Sequence, residues 1–406
     1  MLQEKEYSMV FNDIKVLQSI ETHKSSSQTL ALLVSEFLYT YETAPIQALI
    51  EDLRHHDEVR AIGVVNEKGQ MSGILIRRHL STLMLKPYAQ DILKKRSVRQ
   101  IMSSTRIFSL NDSIFVVAEQ IKEELLMDEV QYFLVSDNDR SFGGIFSTLD
   151  ILNYMSHLMQ QDVALAGRLQ KRIVKERELV VSNSFEYISS NQTAKGVGGD
   201  FTSIKRISGD KWLIALCDVS GKGIAASVIT SVLWGMMSIY DFKNGMKEFI
   251  RNLNNYLVKT FEAEKFITGL FIELNESKYE LKLCDMGHSH LFLLRKNKLH
   301  ALETPEGNLP IGIMPDIEPK IHRLKYLPGD LVFLMTDGLI EQENMEKQVY
   351  NMERVETILS ANPGAAVEVL HDLITRDFKK FRADQILNDD VSMTLIRFAE
   401  QEVVIE

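Results

Sequence analysis

From residue 181 onward the chain alternates short apolar runs with turn-rich segments. "FEYISS", "WLIALCDV", "ITGLFIELN", "YELKLCDMG", "HLFLLRK", "DLVFLMT" and "VSMTLIRF" are short, rich in β-branched and aromatic residues, and bounded by Gly, Asp, Asn or Ser. That pattern predicts strands. Helical spacing predicts two helices after "DVSGKG", over about 223–240 and 244–262, and two late ones over about 346–360 and 364–380. Strands in hairpins with helices grouped between them predict an α+β sandwich over 181–400.

Upstream, a second pattern occurs twice between residues 44 and 155. "PIQALIEDLRHHDEVRAIGVVNEKGQMSGILIRRHLSTLM" reads helix, short β run, turn, β run, helix. "SIFVVAEQIKEELLMDEVQYFLVSDNDRSFGGIFSTLDILNYM" repeats that order through the turn "DNDRS". One copy alone buries little, so an internal repeat predicts a pseudo-symmetric pair packed together. Residues 1–43 read as an N-terminal helical segment, amphipathic through 1–40 with a break at "ETHKSSSQT". Over 156–180 a helical linker is predicted. Leu152, Met155, Met159, Val163, Ala166, Leu169 and Ile173 form one stripe, which suits a connecting rod or the seam of a homodimer; an ordinary surface helix is the other reading.

Composition narrows the class. Hydrophobic residues make up 45% and charged residues 25%, the balance of a globular protein, and the net charge of −10 argues against a nucleic-acid partner. The most apolar early stretch, "TLALLVSEFLYTY", is too short to span a bilayer, and the N-terminus lacks the layout of a signal peptide. The two cysteines, Cys217 and Cys284, each lie inside an apolar run and read as reduced core residues. A cytoplasmic location is the expectation.

The chemistry is carried by aspartates. "GVGGDF" places Asp200 after two glycines, "WLIALCDVSGKG" ends its run at Asp218, "DLVFLMTDGLIE" ends at Asp337, and "LNDDVSMTLI" puts Asp389 and Asp390 before the last strand. A single Asp-Gly is good turn chemistry and nothing more. Several acidic strand ends in one domain are different, because gathering them without cations costs several kcal/mol in repulsion and desolvation. Oxygen ligands without clustered His or Cys select Mg²⁺ or Mn²⁺. Two such ions about 3.5–4 Å apart can set up in-line attack on a phosphoryl group.

These motifs, together with "MGHSH", resemble the ordered motif set of the PPM metal-dependent protein phosphatases, in their SpoIIE/RsbU-like branch; the resemblance covers about 181–398. It implies a β-sandwich flanked by helices, with two Mn²⁺ or Mg²⁺ ions at one end. The bridging carboxylate falls on Asp218, with the Val219 carbonyl beside it, and the other metal ligands on Asp200, Asp337 and Asp389; Asp218 and Asp337 are the catalytic pair. Asp390 stands where many relatives carry asparagine. Ser220 occupies the place of a histidine used by eukaryotic relatives, and no arginine lies near the first motif, so the leaving-group acid and the phosphate clamp stay unassigned. Lys222 reads either as a phosphate contact or as a solvated loop lysine. His288 and His290 read as a structural turn or as an acid, and Gly198 and Gly199 as backbone support. "GGDF" is also similar to the GGDEF signature of diguanylate cyclases, but the second acidic residue is missing.

The repeat at 44–155 resembles a tandem pair of CBS domains, a Bateman module. Gly144, Ser147, Thr148 and Asp150 in "GIFSTLD" match that family's ligand pattern, which implies an adenine nucleotide, with hydroxyls at a helix N-terminus for phosphate and a carboxylate for ribose. The same residues also make a good helix cap. In the first copy Ile76 and His79 replace the hydroxyl and the carboxylate. Together the resemblances imply a CBS-regulated protein serine/threonine phosphatase acting on a phosphoprotein, a STAS-type anti-sigma-factor antagonist in a partner-switching pathway. Two alternatives stay open: a non-catalytic nucleotide-responsive dimeric scaffold, and a phosphodiesterase or small-phosphate hydrolase using the same metals.

Overall fold

The computed structural model describes residues 16–20, 28–88, 93, 96–137, 141–302 and 307–399. The chain divides into two compact units, Met1–Gln160 and Gln161–Glu406. Within the described residues no single helix is long and apolar enough to cross a membrane.

In the first unit the two sequence repeats fold alike. Strands β1 (Gln18–Ser19), β2 (Leu38–Tyr41), β3 (Ala61–Val65) and β4 (Met71–Ile76) form one sheet in that order. Strands β5 (Ile107–Ser109), β6 (Tyr132–Ser136) and β7 (Phe142–Ser147) form the other. In each copy a parallel pair precedes an antiparallel hairpin: β2–β3 then β3–β4, and β5–β6 then β6–β7. Helices Ile46–Leu53 and Arg77–Met84 flank the first hairpin, and Ile114–Gln120 and Thr148–Gln170 the second. Each copy has its own core, and a third apolar cluster of Ala61, Val65, Ile74, Leu134, Phe142 and Ile145 joins them. The pair buries jointly what one copy would leave exposed.

Two expectations are corrected here. Residues 1–40 are not an amphipathic helix where the structure describes them: β1 and β2 are strands, and Leu30–Leu32 is a single 3₁₀ turn. "LYTY" supplies the alternating aromatic and β-branched residues that a strand packs well, and pairing with β3 overrides the helical spacing. Residues 1–15 and 21–27, on which much of that expectation fell, lie outside the described residues, as do 138–140 of the "DNDRS" turn. The linker helix also ends earlier than 180. It stops at Gln170, and Arg177–Val181 is a strand, β8, on the edge of the next sheet.

The second unit is a two-sheet sandwich between helical layers. One sheet orders β10 (Phe201–Ser208), β11 (Lys211–Val219), β12 (Ile267–Asn275), β13 (Glu280–Met286) and β16 (His322–Lys325). The other orders β15 (Lys298–Ala301), β14 (Leu291–Arg295), β17 (Leu331–Met335), β18 (Val391–Phe398), β9 (Phe185–Gln192) and β8. Every pairing in both sheets is antiparallel. The inner faces meet through Phe185, Tyr187, Ile214, Leu216, Leu270 and Val332 and their neighbours. Helices Ile224–Ile239 and Gly245–Phe261 cover the first sheet, and Met352–Ala361 and Val367–Arg382 the second. The α+β sandwich expected from the strand runs is the fold observed.

Candidate functional site

β11 runs antiparallel to both its neighbours, and its last residues, Asp218 and Val219, lie at the sheet end beside Thr268 and Ile267 of β12. β10 begins at Phe201, paired with Cys217, so Asp200 arrives at the same end. In the facing sheet β17 stops at Met335 and β18 starts at Val391, which brings Asp337 and Asp389–Asp390 there as well. Gly338 is needed for close approach: a Cβ on it would lie 2.0 Å from the Asp390 carbonyl oxygen. Four strand ends thus deliver five carboxylates to one end of the sandwich.

Their electrostatics show the convergence. Burial, then the facing carboxylates Asp337, Asp389 and Asp390, push the Asp218 carboxyl up to about 7, with Lys222 pulling the other way. Asp200 is 2% exposed. Burial first and Asp218 second raise its carboxyl well above the usual range, while the hydrogen bond from Thr336 opposes the shift. The Thr336 hydroxyl donates to Asp200 Oδ2 at 2.8 Å.

Asp390 has a different task. Its Oδ1 accepts from Ala194 N–H at 2.8 Å and its Oδ2 from Gly199 N–H at 2.7 Å, so it holds the "AKGVGG" loop that leads into Asp200. Asp389 is partnered by Lys222, with Nζ 2.7 Å from Oδ2, and the same ammonium donates to the Asn388 carbonyl at 2.9 Å. Lys222 therefore leans over the acidic cluster as its internal cation. The Val219 carbonyl faces Gly199, where a Cβ would come within 2.9 Å of its oxygen.

Four carboxylates and a main-chain carbonyl, with no thiolate or imidazole among them, are the donor set of hard octahedral ions, and the Mg²⁺ or Mn²⁺ expected from sequence fits it chemically. Among the described residues no group of three His, Cys, Asp or Glu side chains is gathered tightly enough to grip an ion as it stands. Lys222 pairs with one of the carboxylates, Asp389.

The remaining candidates sort by their hydrogen bonds. His288 is buried, with Nε2 2.8 Å from the Met335 carbonyl oxygen and Nδ1 3.2 Å from Thr268 Oγ1. Burial pushes its pKa down. It ties the end of β17 to β12, which is the structural reading of "GH". His290 stacks edge-on against it at 5.6 Å. Ser220 Oγ accepts from Phe266 N–H at 3.0 Å and is likewise anchored. Sequence reasoning overlooked Lys265, whose Nζ donates to the Ser220 carbonyl at 3.2 Å and so places a second cation on the Asp218 loop. A lysine preceding a strand carries no motif, and nothing in the sequence marks it.

In the first unit, Gly144, Ser147, Thr148 and Asp150 lie together at the end of β7 and the start of the next helix, with local partners. Asp150 Oδ2 accepts from the Ser147 N–H at 2.7 Å, the Ser147 hydroxyl at 2.6 Å and the Ser35 hydroxyl at 2.9 Å. Thr148 Oγ1 accepts from Gln131 N–H at 3.2 Å. A Cβ on Gly144 would strike Val34 at 2.3 Å. A cleft of about 550 Å³ opens instead beside the first copy's motif, lined by Arg60, Ile76, Arg78, His79, Glu129 and Tyr132 among others.

Comparison with known proteins agrees with this geometry. Residues 208–399 match the family described as Stage II sporulation protein E (SpoIIE). Protein IcfG of Synechocystis sp. is 24% identical over 234 residues, covering 50% of this chain and 36% of that protein. Phosphoserine phosphatase RsbP of Bacillus subtilis is 24% identical over 189 residues, covering 45% of this chain and 46% of that protein. The chain thus spans less than half the length of these two curated relatives. The solved SiaA-PP2C domain of Pseudomonas aeruginosa superposes with a TM-score of 0.50 at 14% identity, covering 60% of this chain and 98% of that one, which supports the fold. Residues 208–399 thus match the SpoIIE family on a sandwich that shares its fold with a solved PP2C domain.

Proposed function

We propose that this protein is a two-metal protein serine/threonine phosphatase under the control of its N-terminal repeat pair. The observation that carries the reading is the delivery of Asp200, Asp218, Asp337 and Asp389 from separate strand ends to one end of the sandwich, where burial and the facing carboxylates raise the carboxyls of Asp200 and Asp218. Asp218, the Val219 carbonyl, Asp200, Asp337 and Asp389 would together hold two Mn²⁺ or Mg²⁺ ions. Bound there, the ions supply an activated water and neutralise charge on a phosphoryl group. The chain's own residues do the rest. Asp390 fixes the loop that presents Asp200, Thr336 orients the Asp200 carboxylate, and Lys222 and Lys265 bring positive charge to the entry of an anionic substrate.

As the name of the relative phosphoserine phosphatase RsbP suggests, the reaction is hydrolysis of a phosphorylated side chain, and the substrate is a phosphorylated STAS-type anti-sigma-factor antagonist. The repeat pair is read as a tandem CBS module. An adenine nucleotide there would use the Ser147 and Thr148 hydroxyls and Asp150 once their mutual hydrogen bonds open. Leu152, Met159, Leu165 and Leu169 stay exposed on the long helix and form the seam of a cytoplasmic homodimer.

The test is Mn²⁺-dependent hydrolysis of p-nitrophenyl phosphate by the full chain. Activity should require the metal and fall to background in Asp218→Asn. Activity that ignores metal, or survives in the variant, would remove the two-metal reading.

A further inference from the structure

The long helix Thr148–Gln170 begins in the first unit and ends in the second, and its last residue makes an unusual set of contacts. Gln170 is 6% exposed. Its Oε1 accepts from Gly198 N–H at 3.0 Å, and its Nε2 donates to the Gly198 carbonyl at 2.7 Å. The same Nε2 donates to Thr230 Oγ1 at 3.0 Å, and the Thr230 hydroxyl passes its own proton to the Ser227 carbonyl at 2.8 Å. Gly198 N–H can only donate, so the amide has one permitted orientation, and both its protons are used. One side chain thereby pairs with the backbone of a loop residue as a strand would.

Both partners adjoin the acidic cluster. Gly198 lies two residues before Asp200, and its loop is gripped from the other side by Asp390. Thr230 lies on helix Ile224–Ile239, which follows directly from the Asp218 loop. A turn upstream of Gln170 the helix touches the same loop, since a Cβ on Gly167 would lie 2.3 Å from the Gly196 carbonyl oxygen. A residue that merely filled space here would be apolar. Leucine at 170 would leave the buried Gly198 N–H and C=O without that partner.

We propose that Gln170 is the positioning residue of the metal centre: its amide locks the Asp200 loop to the helix behind Asp218, so that metal affinity depends on how the end of the repeat-borne helix is seated. The inference rests on the phosphatase reading and deepens its regulation. Conditions in the first unit that shift this helix would loosen or tighten the Gly198 pairing and change metal binding without touching a ligand.

The experiment uses the full chain, with Mn²⁺ binding followed by calorimetry and backbone protection by hydrogen exchange. Gln170→Leu should weaken Mn²⁺ binding about tenfold, within the usual range of coupling between sites. It should also speed exchange at Gly198 and Gly199 while leaving the β14–β17 ladder protected. At saturating Mn²⁺ its rate on p-nitrophenyl phosphate should return to that of the unaltered chain, a split that general destabilisation does not produce. Thr230→Val, which keeps the Gly198 pair, should show a smaller loss and guards against a leucine variant that fails to fold. Unchanged affinity alongside faster Gly198 exchange would overturn the role of Gln170. So would a lower rate that saturating metal does not restore. An unaltered chain that neither binds Mn²⁺ nor hydrolyses the ester would overturn the phosphatase reading, and this inference with it.

Discussion

Two carboxyls, Asp218 and Glu36, are pushed up to about 7, and burial is the first cause of both. Glu36 belongs to the first unit, where it accepts the Arg60 N–H at 2.9 Å and faces Arg60, Asp150 and Glu58. Its folded pKa lies above the ordinary 4.5, so the folded state holds the proton more tightly than the unfolded chain. The stability this contributes is present below about pH 4.5 and lost as pH rises through about 7. Glu36→Gln keeps the acceptor and removes the titration. It should flatten that decline and stabilise the first unit by about 1 kcal/mol at pH 8, a figure discounted for partial exposure, with no gain at pH 5. Melts of the two chains at both pH values check it. The candidate ligands were legible in sequence because Asp218 and Asp337 end apolar runs while Asp200 and Asp389 stand just before strands. Asp390 was legible as one more acidic strand end, and Gln170 carried no signal. Their work depends on a loop that returns to them from residues 194–199, a meeting that spacing along the chain cannot reveal.

At the scale of elements, the two misjudged segments have one cause. Residues 171–181 continue a helical stripe as far as Ile173, yet "RELVV" alternates and finds an open edge on β9, with Leu179 opposite Ile188. β2 likewise becomes a strand because β3 offers a parallel partner. Edge pairing is a tertiary event, and local periodicity does not register it. The shorter helix has a consequence, since it ends against the Asp200 loop instead of running past it. Gly167→Ala should therefore cost about 1–3 kcal/mol, because the obstructing atom is backbone and the loop or the helix end must move. Thermal melts read the loss. Mn²⁺ calorimetry should show weaker binding in the same variant, whereas unchanged binding would mean the shift is absorbed before Asp200.

At the scale of the molecule, the sandwich was readable where antiparallel neighbours follow one another in sequence, as in β12–β13, whereas the pairing of β9 with β18 joins distant parts of the chain. The repeat pair was readable from self-similarity alone. What joins the units in the chain is a single helix, Thr148–Gln170. One residue inserted between positions 156 and 160 would turn everything downstream by ~100° and advance it by ~1.5 Å, carrying Gln170 to a new azimuth relative to the helix start. Seven inserted residues would bring that azimuth back to within about 20°. Metal affinity measured across such a series should dip and recover with the helical period if the rod conveys angle. A steady decline with length would show that it conveys only tether.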